Sequence, residues 1–290
     1  MQLVVLTALT LTAFAANSVL NRMGVDRFGM DPGTFAAIRV AAGVAVLWAL
    51  VWFRGASWPH GRWPWRLAGA AALALYMVGF SQAYVSLDTG VGALLLFGGV
   101  QITMFAGALA GGDRLPWRRY AGAVLALIGL AVLVWPNDDA VLPVGGVTLM
   151  LGAAFGWGIY SLMGRSERDP LAATAANFAL CLPMTLPFAL TTPIAELSMA
   201  GVLCAVLAGG VMSALGYSLW YQILPQLGAS RAAVAQLSVP VIAALGGWVM
   251  LSEPVGLRFA VAAIIVLGGI GWSLWPGRKD TYRQSRSNGS

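Results

Sequence analysis

Residues 228–254, GASRAAVAQLSVPVIAALGGWVMLSEP, form an apolar stretch about as long as a bilayer is thick. It opens on small residues from Gly228 to Ser230, carries Pro240 at its middle and ends at Glu253. A weaker copy lies 140 positions earlier: without a gap, residues 80–136 fall onto 220–276. Gln82 then meets Gln222, Gly107 meets Gly247, and Asp113 answers Glu253. Further on, Arg118 meets Arg258, Gly129 meets Gly269, and Trp135-Pro136 meets Trp275-Pro276. An ungapped register of Gln, Arg and Trp-Pro pairs reads as internal duplication, and duplication of such apolar stretches reads as a membrane protein built twice.

Composition agrees. The 290 residues are 59% hydrophobic and 10% charged, with a mean hydropathy of +0.79, whereas soluble domains are roughly 25% charged. Length therefore counts membrane crossings. Ten spans are expected, at 2–21, 32–53, 66–87, 90–111, 117–135, 143–163, 171–190, 198–222, 230–251 and 256–275. The first could be a signal peptide, but no Lys or Arg precedes it and its apolar run exceeds a usual signal core, so it reads as a helix. The two cysteines, Cys181 and Cys204, lie inside apolar runs and read as small core residues. A lone histidine, His60, leaves no zinc site, and no metal or other cofactor is expected.

The net charge of +6 is carried almost wholly by arginine, with Lys279 the only lysine. These cations sit in short loops between apolar runs, which fits orientation in a bilayer better than nucleic-acid binding. Thirteen of the 17 fall in loops on one side, among them Arg54, Arg66, Arg118 and the tail; three (Arg22, Arg27 and Arg258) fall on the other. That bias places both termini in the cytoplasm. Trp63, Trp65, Trp117 and Trp220 then lie at the inner boundary and Trp135 and Trp248 at the outer, as interfacial anchors should.

An odd number of spans per half forces the second half to enter upside down. The fold class expected is all-α integral membrane, ten transmembrane helices as two inverted five-helix repeats around a central cavity. Residues 1–136 form the first repeat, 143–276 the second, and 277–290 a cytoplasmic tail.

The chain resembles the drug/metabolite transporter superfamily, specifically its EamA-type ten-helix members, over roughly residues 1–276. The resemblance rests on the opening of the second span from Pro32 to Arg39, on AAFGWGIYSLMGR at 153–165, and on VPVIAALGGWVMLSEPV at 239–255. The first half departs from the pattern, with Val100 and Gln101 where a proline would stand and Asp113 in place of Glu. The resemblance implies a multi-pass protein of the bacterial inner membrane that exports small metabolites, with amino acids, including aromatic ones, prominent. It implies a small-molecule substrate and the lipid bilayer as partners, a homodimer as a candidate assembly, no nucleic acid and no enzyme activity. The alternatives are a non-transporting assembly or receptor protein, and a carrier of nucleobases or drug-like compounds.

Polar side chains in hydrocarbon tend to face the bundle interior or a wet cavity. Expected to line the cavity are Asn17, Arg39, Tyr76, Gln82, Gln101, Trp157, Tyr160, Asn177, Ser213, Tyr217, Gln236 and Ser238. The fifth and tenth spans carry almost no polar residues and read as outer buttresses. Each candidate has a plainer reading. Hydroxyls such as those of Thr103 and Ser213 are expected to return to their own helix backbone. Gln101 and Gln236 either line the cavity or bond helix to helix. Trp157 reads as packing, and Tyr217 as substrate contact.

Arg39 is the one ionised group within a span. It is expected to snorkel outward or to pair with Asp31 or Asp88; the sharper alternative has it meet a substrate carboxylate. Its repeat mate is neutral, since Pro32 to Arg39 matches Pro170 to Asn177. No Asp or Glu lies deep in a span, so no carboxylate proton relay is visible. Exchange or uniport is expected, with coupling through Asp88 or Glu253 left open. Pro183, Pro187 and Pro240 are expected to bend their helices.

Overall fold

The computed structural model describes residues 2–55, 63–112, 115–135, 142–164, 167, 169–189, 197–227 and 235–274. The tail, the 136–141 loop and Arg231 lie outside them. The described chain is all-helical and forms ten rods. These are α1 (Gln2–Arg22), α2 (Pro32–Phe53), α3 (Trp63–Ala83), α4 (Thr89–Ala110), α5 (Trp117–Val134), α6 (Val144–Gly164) and α7 (Pro170–Thr185). Next, α8 runs as Met199–Val206, a π-helical stretch Leu207–Leu215, and Gly216–Leu227; α9 (Val239–Leu251) and α10 (Leu257–Leu274) complete the set. Six helices are long and apolar enough to cross a membrane by themselves, and three further apolar helices are shorter.

Two starts follow from one local device. An Asp-Pro pair opens α2, where the Thr34 amide donates to the Asp31 carboxylate at 2.7 Å, and another opens α7, where the Ala172 amide donates to Asp169 at 3.2 Å. The carboxylate takes an amide the helix cannot satisfy, and proline at the first position loses nothing.

The prolines behave differently from one another. Pro183 lies inside α7. Pro187, expected to bend a helix, instead sits in the 3₁₀ turn Leu186–Phe188 that follows α7. Pro240, expected at mid-helix, stands in the first turn of α9, after a turn at Leu237 and Ser238. A proline has no N–H to give and disfavours helix in the residue before it, so the rod restarts there.

The periphery is apolar, as lipid requires. Val124, Leu127 and Ile128 of α5 and Ile264 of α10 are exposed, while the two helices pack along each other. Gly129 permits that approach: a Cβ there would lie 2.6 Å from a Val266 methyl. Trp63, Trp65, Trp117, Trp135 and Trp248 are exposed. Trp220, expected as an interfacial anchor, is half-buried and packs edge-on against Phe14, with ring centroids 5.7 Å apart.

Ion pairs tie both ends of the bundle. At one end Arg22 donates to Glu253 at 3.1 Å and to the carbonyls of Tyr84 and Val85 at 2.8 and 3.0 Å. It also lies 3.3 Å from Asp26 and 3.7 Å from Asp88. The second oxygen of Glu253 accepts from the Thr89 amide at 2.8 Å, so α1, α4 and the α9–α10 turn share one knot. At the other end Arg66 of α3 pairs with Glu167 at 2.8 Å.

In the middle, α8 lies against α2 at a backbone-to-backbone distance only glycine allows. A Cβ on Gly209 would stand 1.9 Å from the Arg39 carbonyl oxygen. Gly209→Ala should therefore lower the unfolding temperature of the purified protein in detergent, by the equivalent of about 1–3 kcal/mol of overpacking. Gly145→Ala, with nothing within 4 Å of the added carbon, should leave it unchanged.

Candidate functional site

The close approach at Gly209 brings together side chains from four helices. Arg39 of α2 is 0% exposed. Its Nη2 donates to the Tyr76 hydroxyl of α3 at 3.1 Å and to the Ser213 hydroxyl of α8 at 3.2 Å. Ser213 in turn donates to the Asn17 side chain of α1 at 3.3 Å. The guanidinium carbon lies 5.5 Å from the Tyr76 ring centroid and 5.1 Å from that of Phe80. Ser213 sits in the π-helical stretch of α8, a local widening that recurs at functional sites.

This corrects two expectations. Arg39 neither snorkels nor pairs with Asp31 or Asp88. Asp31 is engaged as the α2 cap, also accepting from the Thr34 hydroxyl at 2.9 Å, and Asp88 lies beside Arg22. Nor does the Ser213 hydroxyl return to its own helix. Its proton goes to the Asn17 amide oxygen, which leaves the hydroxyl oxygen facing Arg39 as an acceptor. Thr103 and Ser238 do bond back, to the carbonyls of Gly99 at 2.9 Å and Ala235 at 2.7 Å.

Arg39 remains under-satisfied. Its Nε and Nη1 are buried with no hydrogen-bond partner, and no carboxylate pairs with it among the described residues. Bonds to a charged donor contribute about 1.5–3 kcal/mol each and a ring face about 0.5–2. An isolated buried charge loses several kcal/mol of hydration. The neutral partners offset this only in part, so the centre of the bundle holds a guanidinium whose charge is not matched by a carboxylate among the described residues.

Aromatic rings wall the cluster. Trp157 lies 4.9 Å from Tyr76, 5.5 Å from Tyr160 and 5.1 Å from Tyr217 between centroids. Tyr217 also meets Phe14 at 5.8 Å and Phe178 at 6.3 Å. Seven expected residues therefore form one contiguous set: Asn17, Arg39, Tyr76, Trp157, Tyr160, Ser213 and Tyr217. Gln82, Gln101 and Gln236 are half-buried, and none of the described hydrogen bonds joins them to it.

The expected central cavity is closed here around Arg39. A narrow cleft opens elsewhere, between α3, α6 and α7, lined by Arg66, Gly69, Tyr160, Glu167, Thr174 and Asn177 among others. It encloses about 320 Å³ counted to its open mouth, yet the part a water centre can reach is about 10 Å³, room for roughly one molecule.

Several polar residues outside the expected set take part. Asn21 accepts from the Ser81 hydroxyl at 2.7 Å, an α1–α3 bond one turn along α1 from Asn17. Its signal was spacing, since it lies four residues after Asn17 on the same face. Arg22 and Arg66 were counted only as loop charges, and nothing in local sequence pairs them with Glu253 and Glu167.

Comparison with known proteins accords with this architecture. The family model described as "EamA-like transporter family" matches residues 2–135 and again 144–275. An uncharacterized Pseudomonas aeruginosa protein is 44% identical over 273 residues, spanning 93% of this chain and 94% of that one. A "Probable amino-acid metabolite efflux pump" of Salmonella typhimurium is 28% identical over 65% of this chain and 69% of its own length. A "Probable terminal-alkyne amino-acid exporter" of Streptantibioticus cattleyicolor is 25% identical over 90% of this chain and 89% of its own. A crystal structure at 22% identity superposes with a TM-score of 0.65, covering 91% of this chain and 97% of that one, and so shares the fold. With one family matched twice along a chain in which six described helices are long and apolar enough to cross a membrane, this protein belongs to the EamA-like transporter family and is a multi-pass helical membrane protein.

Proposed function

We propose that the protein is a secondary transporter that exports small metabolites, amino acids above all, across the bacterial inner membrane by alternating access. The observation that carries this reading is Arg39, a buried guanidinium with two nitrogens, Nε and Nη1, lacking acceptors inside an aromatic box. A carboxylate fits what it lacks, and the rings of Trp157 and Tyr217 suit an apolar or aromatic side chain beside it. The printed names of the Salmonella and Streptantibioticus relatives point to the same substrate class.

The inverted repeat belongs to the same proposal. Trp117–Val134 and Leu257–Leu274 have equal length and begin 140 residues apart. Helix neighbours also repeat: α3 packs on α6 as α8 packs on α1, and α4 on α6 as α9 on α1. Two such halves can exchange shapes around the site between them. In that cycle the Arg22–Glu253 knot opens in one state and the Arg66–Glu167 pair in the other. Both termini face the cytoplasm in this reading.

Two outcomes test it. In proteoliposomes loaded with labelled amino acids, Arg39→Gln should cut flux at least tenfold while inserted, folded protein is retained; wild-type flux in that variant would remove Arg39 from the site. Engineered cysteines in 136–142 should react with an impermeant reagent applied outside cells, and cysteines in 112–118 should not. The opposite pattern would overturn the orientation.

A further inference from the structure

We infer that Asp88 is a reserve cap for α4: it is unused while Glu253 holds the start of that helix, and takes over when the Arg22–Glu253 knot opens. The inference rests on the alternating-access reading above, in which that knot parts once in each cycle. Its first support is a contrast between three helix starts. Asp31 and Asp169 precede α2 and α7, and each accepts from the amide three residues on, that of Thr34 or Ala172. Asp88 precedes α4 in the same way, with φ −61° and ψ 151° against −53° and 126° at Asp31. Its backbone already has the non-helical form of an N-cap, yet its side chain makes no cap bond. The Val91 amide, which that cap would serve, has no partner among the described hydrogen bonds.

The second support is what occupies the helix start instead. The first residue of α2 and of α7 is proline, which has no N–H. That of α4 is Thr89, whose amide donates at 2.8 Å to Glu253 from the turn after α9. A helix start draws negative charge, but two carboxylates side by side there repel each other. Asp88 accordingly lies beside Arg22, at 3.7 Å, with its side chain 46% exposed and room to turn. Arg22 does not depend on it. Asp26 lies 3.3 Å away, and the Tyr84 and Val85 carbonyls accept at 2.8 and 3.0 Å.

The third support is the seat of Glu253. A Cβ on Gly247 would overlap the Glu253 Oε2 and stand 2.9 Å from the Thr89 Cβ. The carboxylate therefore fills space that only glycine leaves open, and one methyl group is enough to displace it. When it leaves, α4 loses the acceptor supplied by the other half of the chain. Asp88 then turns to the Val91 amide, so the helix start stays capped from within its own half. The two forms differ in which carboxylate caps α4, and neither leaves that end bare.

The test is the separation of spin labels on Val85→Cys and Val255→Cys, both exposed positions, in the full chain in lipid nanodiscs. Gly247→Ala should enlarge the population with the longer separation. Asp88→Ala should shrink that population about fivefold relative to the short one, the effect of one N-cap contact, both in Gly247→Ala and in the otherwise wild-type chain. Asp88→Ser, which can cap but cannot pair with Arg22, should restore it. Asp88→Glu, which can pair with Arg22 but caps poorly, should behave like Asp88→Ala. Restoration by Glu and not by Ser, or no effect of any Asp88 variant, would overturn the reserve cap, and amino-acid flux in the wild type would then leave the export reading standing. Labels held at one short separation in every variant would remove the cap exchange and the opening of the knot together.

Discussion

A guanidinium inside an apolar bundle dictates much of how the middle of this molecule is arranged. Arg39 has no carboxylate partner among the described residues, and it is held by two hydroxyls and two ring faces. Tyr76 and Phe80 stand on α3 and Ser213 on α8, and Ser213 passes the link on to Asn17, so one polar chain running from the charge ties α1, α2, α3 and α8 together. Removing the charge from the low-dielectric centre would relax the demand; keeping it there means that the site is most favourable when something anionic is present. In the transport reading proposed above, an unmet electrostatic need at this position is a form of differential binding, since the empty protein is the less satisfied state.

Backbone geometry makes the arrangement possible. The π-helical stretch of α8 widens the rod where Ser213 must turn inward, and Gly209 lets that rod touch the α2 backbone at Arg39 itself. The polar centre is therefore bonded through rigid elements, whereas the two ends are bonded by side-chain ion pairs that can separate and re-form. Glu253 illustrates the difference: one oxygen holds Arg22 and the other the start of α4, so release of that carboxylate frees the α9–α10 turn from both at once, while Arg22 keeps the Tyr84 and Val85 carbonyls.

Much of the fold was legible because lipid leaves few choices. Apolar runs of membrane length place most rod ends within about five residues of where they stand, although α3 begins and ends earlier than hydropathy suggests and α9 begins at Val239, well after the expected 230. Pro240 was misplaced because its flanks are apolar on both sides, which hides a turn that hydrogen bonding, not hydropathy, determines. At the site, residue type pointed to Arg39, Asn17, Tyr76 and Tyr217, since polar and aromatic groups in hydrocarbon are few. Their partners were not legible: Ser213 lies 174 residues from Arg39, and no local spacing reports a contact made across the bundle. The same holds for Arg66 and Glu167, 101 residues apart, each of which alone looks like an ordinary loop charge.

The pairing of α5 with α10 carries a consequence for the lipid around it. Each helix has 18 residues, about 27 Å at 1.5 Å per residue, against a hydrocarbon core of about 30 Å. At one end Trp117 meets Trp272 edge-on at 5.3 Å, and toward the other the Arg258 side chain donates to the Val132 carbonyl at 3.0 Å, so the pair cannot lengthen by sliding. A span this short is met by local thinning of the bilayer or by flanking side chains that reach to the interface. Acyl-chain length thereby becomes a mechanical load on the outer wall of the molecule, and short-chain lipids are the ones that relieve it.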